Sequence, residues 1–196
     1  MDPTENVLRE GVAPGKPLVL RPLARTARDA EAFAKIVHAD QQDDPSLRHV
    51  RHLKRVAIIA DDKLAVDADE VLTDLVAQIA WLKDTFGSTP YTREDLIREG
   101  FAEEVLDAVQ ALTEPTGEGS CLDWTRRFCE TASLPAILVK LAENEDRSKQ
   151  ALLSLLSPEA RERAATYTSA RAELLAAAAR HGWVDLRPAP PRRSDL

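Results

Sequence analysis

The chain has 196 residues, 44% hydrophobic and 30% charged, which is enough for one domain with a sizeable core and too little for two comfortable ones. Its 33 acidic and 26 basic residues give a formal charge of −7, spread along the chain without a basic block. That pattern argues against a general nucleic-acid or anionic-membrane surface, and no segment approaches membrane-spanning length.

The first residues show neither the basic start nor the apolar run of a secretion signal, and Cys121 and Cys129 stand at no metal-ligand or redox spacing. A cytoplasmic location is therefore expected, with both cysteines as small apolar residues on a helix.

Residues 1–25 contain Pro3, Gly11, Pro14, Gly15, Pro17 and Pro22 and read as an irregular arm, with room for a short extended piece at Leu18-Val19-Leu20. Thr26 caps a helix expected to run to about Gln42, with Ala30, Phe33, Ala34 and Val37 on one face. The acidic run before Pro45 stops it, because the residue before a proline is pushed out of helical geometry. A second helix is predicted from about Leu47 to Ala60, with Val50, Leu53, Val56, Ala57 and Ile58 or Ile59 inward and His49 and His52 at its start. Asp67 or Asp69 suits the positive end of the next helix, where Val71, Leu72, Leu75, Val76, Ile79 and Leu82 recur at spacings of three and four.

Gly87 to Tyr91 has the chemistry of a loop, and Thr92 to Asp95 has the form of a capping box for a short helix ending at Arg98 before Gly100. Further helices are predicted from Ala102 to Leu112 and from Leu122 to Thr131, separated by a loop around Pro115 and Gly117. Ser133 and Pro135 then start a long helix through Ile137, Leu138, Leu141 and the Leu152 to Leu156 cluster. Ser157-Pro158 ends it and opens a last helix, rich in Ala and Leu, that runs to Arg180 and closes at Gly182. The proline-rich tail, 183–196, is expected to be disordered. The fold class is all-α, a helical body of about eight helices over residues 26–182.

The stretch from Ile79 to Thr89 is an apolar helix pattern that ends in Lys83-Asp84 and then in Gly87-Ser88. Three other stretches bear on it: Arg48 to Ala57 with its two histidines, Thr89 to Thr113 with a loop and two short helices, and Ile137 to Asn144, whose core is Val139-Lys140-Leu141-Ala142. In this order they resemble the HD-domain superfamily, in particular the RelA/SpoT-type hydrolase domain that removes the 3'-pyrophosphate of ppGpp. The likeness covers about Asp29 to Leu155.

The resemblance implies a site in which two histidines and two aspartates hold a divalent cation, commonly manganese. His52 maps to the first histidine, Asp84 to the aspartate of the His-Asp pair, and Glu143 to the last aspartate. Lys83 stands where the second histidine belongs. A protonated lysine has no lone pair, and at ~4 Å from a divalent ion with an effective dielectric of about 20 its repulsion is on the order of 8 kcal/mol. Gly87 and Ser88 replace the Glu-Asp pair that orients the attacking water. His38 falls where the family's first helix has a basic residue or His, and packing is the role its residue type favours. His181 reads as a helix-end residue, and the three tryptophans read as packing groups.

The expectation is a degenerate metal site of His52, Asp84 and Glu143, without a resident cofactor, in a protein that has lost hydrolysis and binds a small nucleotide or a protein partner. His49, Lys83, Lys140 and Asn144 are the candidate ligand-binding residues. Two rival readings are a working metal-dependent phosphohydrolase, with His49 supplying the missing nitrogen, and a helical protein-interaction module.

Overall fold

A computed structural model describes residues 25–39, 45–65, 68–114, 120–153 and 158–185. The expected irregular arm, the loop around Pro115 and Gly117, the side chains of the Leu152 to Leu156 cluster and nearly all of the proline-rich tail lie outside the described residues. The described residues form an all-α fold: α1 (Ala27–Val37), α2 (Pro45–Asp61), α3 (Glu70–Leu82), the irregular turn α4 (Thr85–Ser88), whose Phe86 and Gly87 are not helical, α5 (Arg93–Arg98), α6 (Glu103–Leu112), α7 (Cys121–Thr131), α8 (Leu134–Leu153) and α9 (Pro158–Arg180). Among them there is no strand, and a single isolated bridge joins Phe86 to Thr89.

Local chemistry sets most of the starts. Asp69 accepts a hydrogen bond from Val71 N at 2.7 Å and so caps α3. Thr92 and Asp95 cap α5 reciprocally, with Thr92 N donating to Asp95 Oδ2 at 2.7 Å and Asp95 N donating to Thr92 Oγ1 at 3.3 Å. Ser120 accepts from Asp123 N at 3.2 Å and so starts α7 at Cys121, one residue earlier than predicted.

Helix α1 is shorter than expected, because His38 leaves helical geometry at φ −101°, ψ 1° and turns its ring fully into the interior. The second choice of pair in α2 is settled for Ile59, which packs against the core while Ile58 is 53% exposed. Val71, expected inward, is 74% exposed, because it lies in the first turn of α3, ahead of the buried stretch that begins at Val76.

Helix α8 is the centre of the body. It packs against α2, α3, α6 and α9, while α1 covers α3 and α7 covers α9. Ile137, Leu138, Val139, Leu141 and Ala142 are all buried, so this turn of α8 is enclosed on every side. Each such aliphatic side chain stabilises the fold by roughly 1.5–3 kcal/mol relative to exposure. The enclosure has a second effect: the polar residues that continue the helix, Glu143, Asn144 and Asp146, are drawn inside with it. The packed body extends past Gly182, since Trp183 lies against the core and donates its indole N–H to Lys63 O at 2.8 Å.

Candidate functional site

Three elements meet beside the polar end of the buried turn of α8. Helix α2 presents His49, His52 and Arg55 at intervals of three, which places them along one face. Helix α8 presents Lys140, Glu143 and Asp146 at the same interval, with Arg147 one turn beyond Glu143. The end of α3 delivers Lys83 and Asp84 into the space between them.

Lys83 Nζ donates to both oxygens of Asp84, each at 2.8 Å, and lies 3.3 Å from Glu143 Oε1. Only 1% of the lysine side chain is exposed. Glu143 is held by two further cations, accepting from Lys140 Nζ at 3.0 Å and Arg147 Nε at 2.8 Å. Burial alone would raise the Glu143 carboxyl, yet Lys140, Lys83 and Arg147 together hold it well below the usual carboxylate range. Asp84 behaves alike: burial pushes up, and the Lys83 charge brings it below its ordinary value. Glu143 in turn raises the basicity of Arg147.

The histidines form a row behind this hub. His52 shares a proton with Asp146 through Nδ1 at 2.7 Å, and Arg55 forks onto the same carboxylate at 2.6 and 3.0 Å. His49 Nε2 lies 3.3 Å from Asp84 Oδ2, and its ring centroid is 4.5 Å from that of His38. His38 is fully buried with no partner for either ring nitrogen among the described residues, and burial, followed by the neighbouring His49, pushes it down to about 4. Burial also lowers His49 and His52, the latter with help from Lys83.

These residues do not suit a divalent cation. The lysine nitrogen sits within hydrogen-bond reach of the two carboxylates that would have to ligate, and it offers donors where a metal needs lone pairs. His52 commits Nδ1 to Asp146, and among the described residues no three His, Cys, Asp or Glu side chains converge as a ligand set.

Two cavities open beside the hub. One, of about 210 Å³, is bounded by Lys83, Asp84, Gly87, Ser88 and Thr113. The other, of about 130 Å³, lies among α7, α8 and α9 and is bounded by Cys121, Thr125, Asn144, Tyr167 and Leu174. Lys140, Glu143, Arg147 and Glu114 line both. Of the residues singled out from sequence, Lys83, Asp84, Glu143, Lys140 and His49 come together, Gly87 and Ser88 face the same space, and Asn144 lines the second cavity. His52 is turned toward Asp146. Asp146, Arg147 and Arg55 were missed, although the three-residue interval shared by His49, His52 and Arg55, and by Lys140, Glu143 and Asp146, is visible in the sequence.

No protein-family model matches the chain, and no curated protein is similar to it at a significant level.

Proposed function

We propose that the chain is an HD-type helical protein, similar to the RelA/SpoT hydrolase domain, in which a lysine has taken over the charge of the metal. It binds a small nucleotide and does not hydrolyse it. The observation that carries this reading is the buried ammonium of Lys83 between Asp84 and Glu143, at the place the resemblance gives to the cation. The hydrolytic roles are unfilled: the lysine cannot polarise a phosphate as a Lewis acid does, and Gly87 and Ser88 have no carboxylate to position water. Binding remains served, because Lys140 and Arg147 line both cavities beside the hub.

The test is elemental analysis of the purified chain after dialysis against manganese, with chromatographic assay of ppGpp breakdown and calorimetric titration of nucleotides. The expected result is substoichiometric metal, intact ppGpp and measurable nucleotide binding. Stoichiometric manganese with turnover that disappears in Asp84→Ala overturns the reading.

A further inference from the structure

The cavity among α7, α8 and α9 has a chemistry that selects its occupant. At ~10–15 Å³ of such space per water, its 130 Å³ holds roughly ten waters or one flat heterocycle. Inside it, Asn144 is 5% exposed and donates through Nδ2 to Tyr167 O at 3.1 Å. That bond fixes the orientation of the amide, because the flipped form would set two acceptors against each other. Oδ1 is then the free atom, buried and without a partner among the described residues. An unpaired buried acceptor is destabilising, and what satisfies it is a hydrogen-bond donor, an N–H or an O–H.

The wall shared by the two cavities has the opposite need. Arg147 uses Nε on Glu143, and among the described residues its two terminal nitrogens have no hydrogen-bond partner. Lys140 Nζ donates to Glu143 and lies 4.4 Å over the Trp124 ring, which leaves it a donor in reserve. Lys83, Lys140 and Arg147 balance Asp84, Glu143 and Glu114 in charge, so what the wall offers an anion is the unused donors of Arg147 and Lys140. Exposed Glu114, on the same wall, adds an acceptor that suits hydroxyl groups.

We infer that the α7–α9 cavity takes the base of a nucleoside monophosphate whose base carries an amino group. The amine donates to Asn144 Oδ1, the single phosphate lies on the Arg147 fork and Lys140, and the sugar hydroxyls face Glu114. A planar guanidinium with free terminal nitrogens matches phosphate oxygens in pairs. A chain of phosphates is disfavoured, since Lys83, the remaining cation of the hub, is consumed between Asp84 and Glu143. The inference rests on the reading of the cleft as a nucleotide-binding site.

Calorimetric titration of the full chain with AMP, GMP and CMP tests it, with purine riboside 5'-monophosphate, adenosine and inorganic phosphate as controls. At least one of the three amino-bearing nucleotides is expected to bind with Kd below about 100 µM, and each control at least tenfold more weakly. Arg147→Ala is expected to weaken the nucleotide tenfold or more. Asn144→Leu should bring it to the level of purine riboside 5'-monophosphate while leaving that control unchanged. Ala170→Met, which fills the cavity without touching a charge, should weaken the nucleotides and spare inorganic phosphate, and it serves if Asn144→Leu does not fold.

Binding of all three nucleotides no tighter than inorganic phosphate, or unaffected by Arg147→Ala, overturns the assignment. Metal content measured on the same samples separates the two claims. Manganese and turnover sink the metal-free reading alone, whereas metal-free protein that shows no preference for an amine sinks this one alone.

Discussion

Lys83 Nζ lies 3.3 Å from Glu143 Oε1 and 2.8 Å from each oxygen of Asp84, so a single ammonium joins the end of α3 to the middle of α8. Two carboxylates brought together in a buried place repel unless one takes up a proton or a cation stands between them. The ammonium is that cation. Removing one partner of a buried charge cluster costs about 3–5 kcal/mol, because the remaining charges stay buried without compensation. Lys83→Met is accordingly expected to lose stability of about that size in urea unfolding. Lys83→Met with Asp84→Asn should recover part of it, since the second change removes the carboxylate that depended most directly on the lysine.

If the ammonium occupies the place of a metal, restoring donors there should restore affinity for one. Lys83→His with Glu143→Asp removes the positive charge and supplies an imidazole nitrogen and a shorter carboxylate arm, a donor set that suits manganese or zinc. Manganese titration followed by calorimetry is expected to show a large gain over the wild-type chain. No gain in a variant that retains its helical circular dichroism would mean that the lysine does not stand in a metal's place.

The histidine row makes stability sensitive to mild acid. His38 is held at about 4 by burial, then by the His49 charge, against an ordinary value of 6.5. Between these values the unfolded chain binds a proton that the folded chain does not, so stability rises with pH across this window and is lost as pH falls from about 6.5 toward 4. His49 and His52 are lowered too and act with the same sign. Asp84 and Glu143, both depressed, contribute stability above their unfolded values and lose it only at lower pH, as the carboxylates protonate in the fold. Acid destabilisation should therefore begin near pH 6.5, ahead of the carboxylate range. His38→Phe is expected to flatten the pH 6.5 to 4 portion of the profile by on the order of 3 kcal/mol, and to be neutral or stabilising at pH 7, because it removes two unpaired buried nitrogens. Thermal midpoints across a pH series read both effects.

Gly87 stands where the resemblance places a glutamate. Its φ of +96° lies in the left-handed region, and a Cβ built there would meet Thr113 Cγ2 only at 3.6 Å, an ordinary contact. The obstacle to a side chain is thus the backbone. Gly87→Ala is expected to cost roughly 1–2 kcal/mol. Gly87→Glu with Ser88→Asp is expected to cost as much and to yield no ppGpp hydrolysis while Lys83 remains, which an activity assay with manganese checks.

What could be read from the sequence follows the range of each interaction. The starts of α3, α5 and α8 were legible because Asp69, Thr92 and Ser133 act within one turn. The end of α1 was not, since the force that bends it is the burial of His38 against His49, eleven residues on and across a segment without periodic signal. Lys83, Asp84 and Glu143 could be proposed as neighbours only through a resemblance. The charges of the run Glu143-Asn144-Glu145-Asp146-Arg147 say nothing about depth, and only its apolar lead-in from Ile137 to Leu141 points it toward the core side. Only the enclosure of α8 by four other helices makes it a buried network, and Asp146 finds its partners 91 and 94 residues away in Arg55 and His52.

Asp146 gives the last prediction. It is 2% exposed and accepts from His52 Nδ1 and from two nitrogens of Arg55. Burial would raise its pKa, and the bonds from Arg55 and His52 bring it below the ordinary value, so it is a carboxylate at neutral pH. It fixes the proton of His52 on Nδ1 and leaves Nε2 as the lone-pair nitrogen, buried beside the hub and without a partner among the described residues. Hydrogen bonds to a charged group contribute about 1.5–3 kcal/mol each, and the exposed part of Arg55 can recover water when its partner is lost. Asp146→Asn should therefore cost a few kcal/mol in urea unfolding. It should also lower the His52 pKa further, because the bond to this carboxylate, ahead of the Glu143 charge, opposes burial and the Lys83 charge there. Titration of the imidazole proton resonances by NMR reads the second effect. An unchanged His52 titration would mean that the His52–Asp146 bond at 2.7 Å does not set the protonation of the ring.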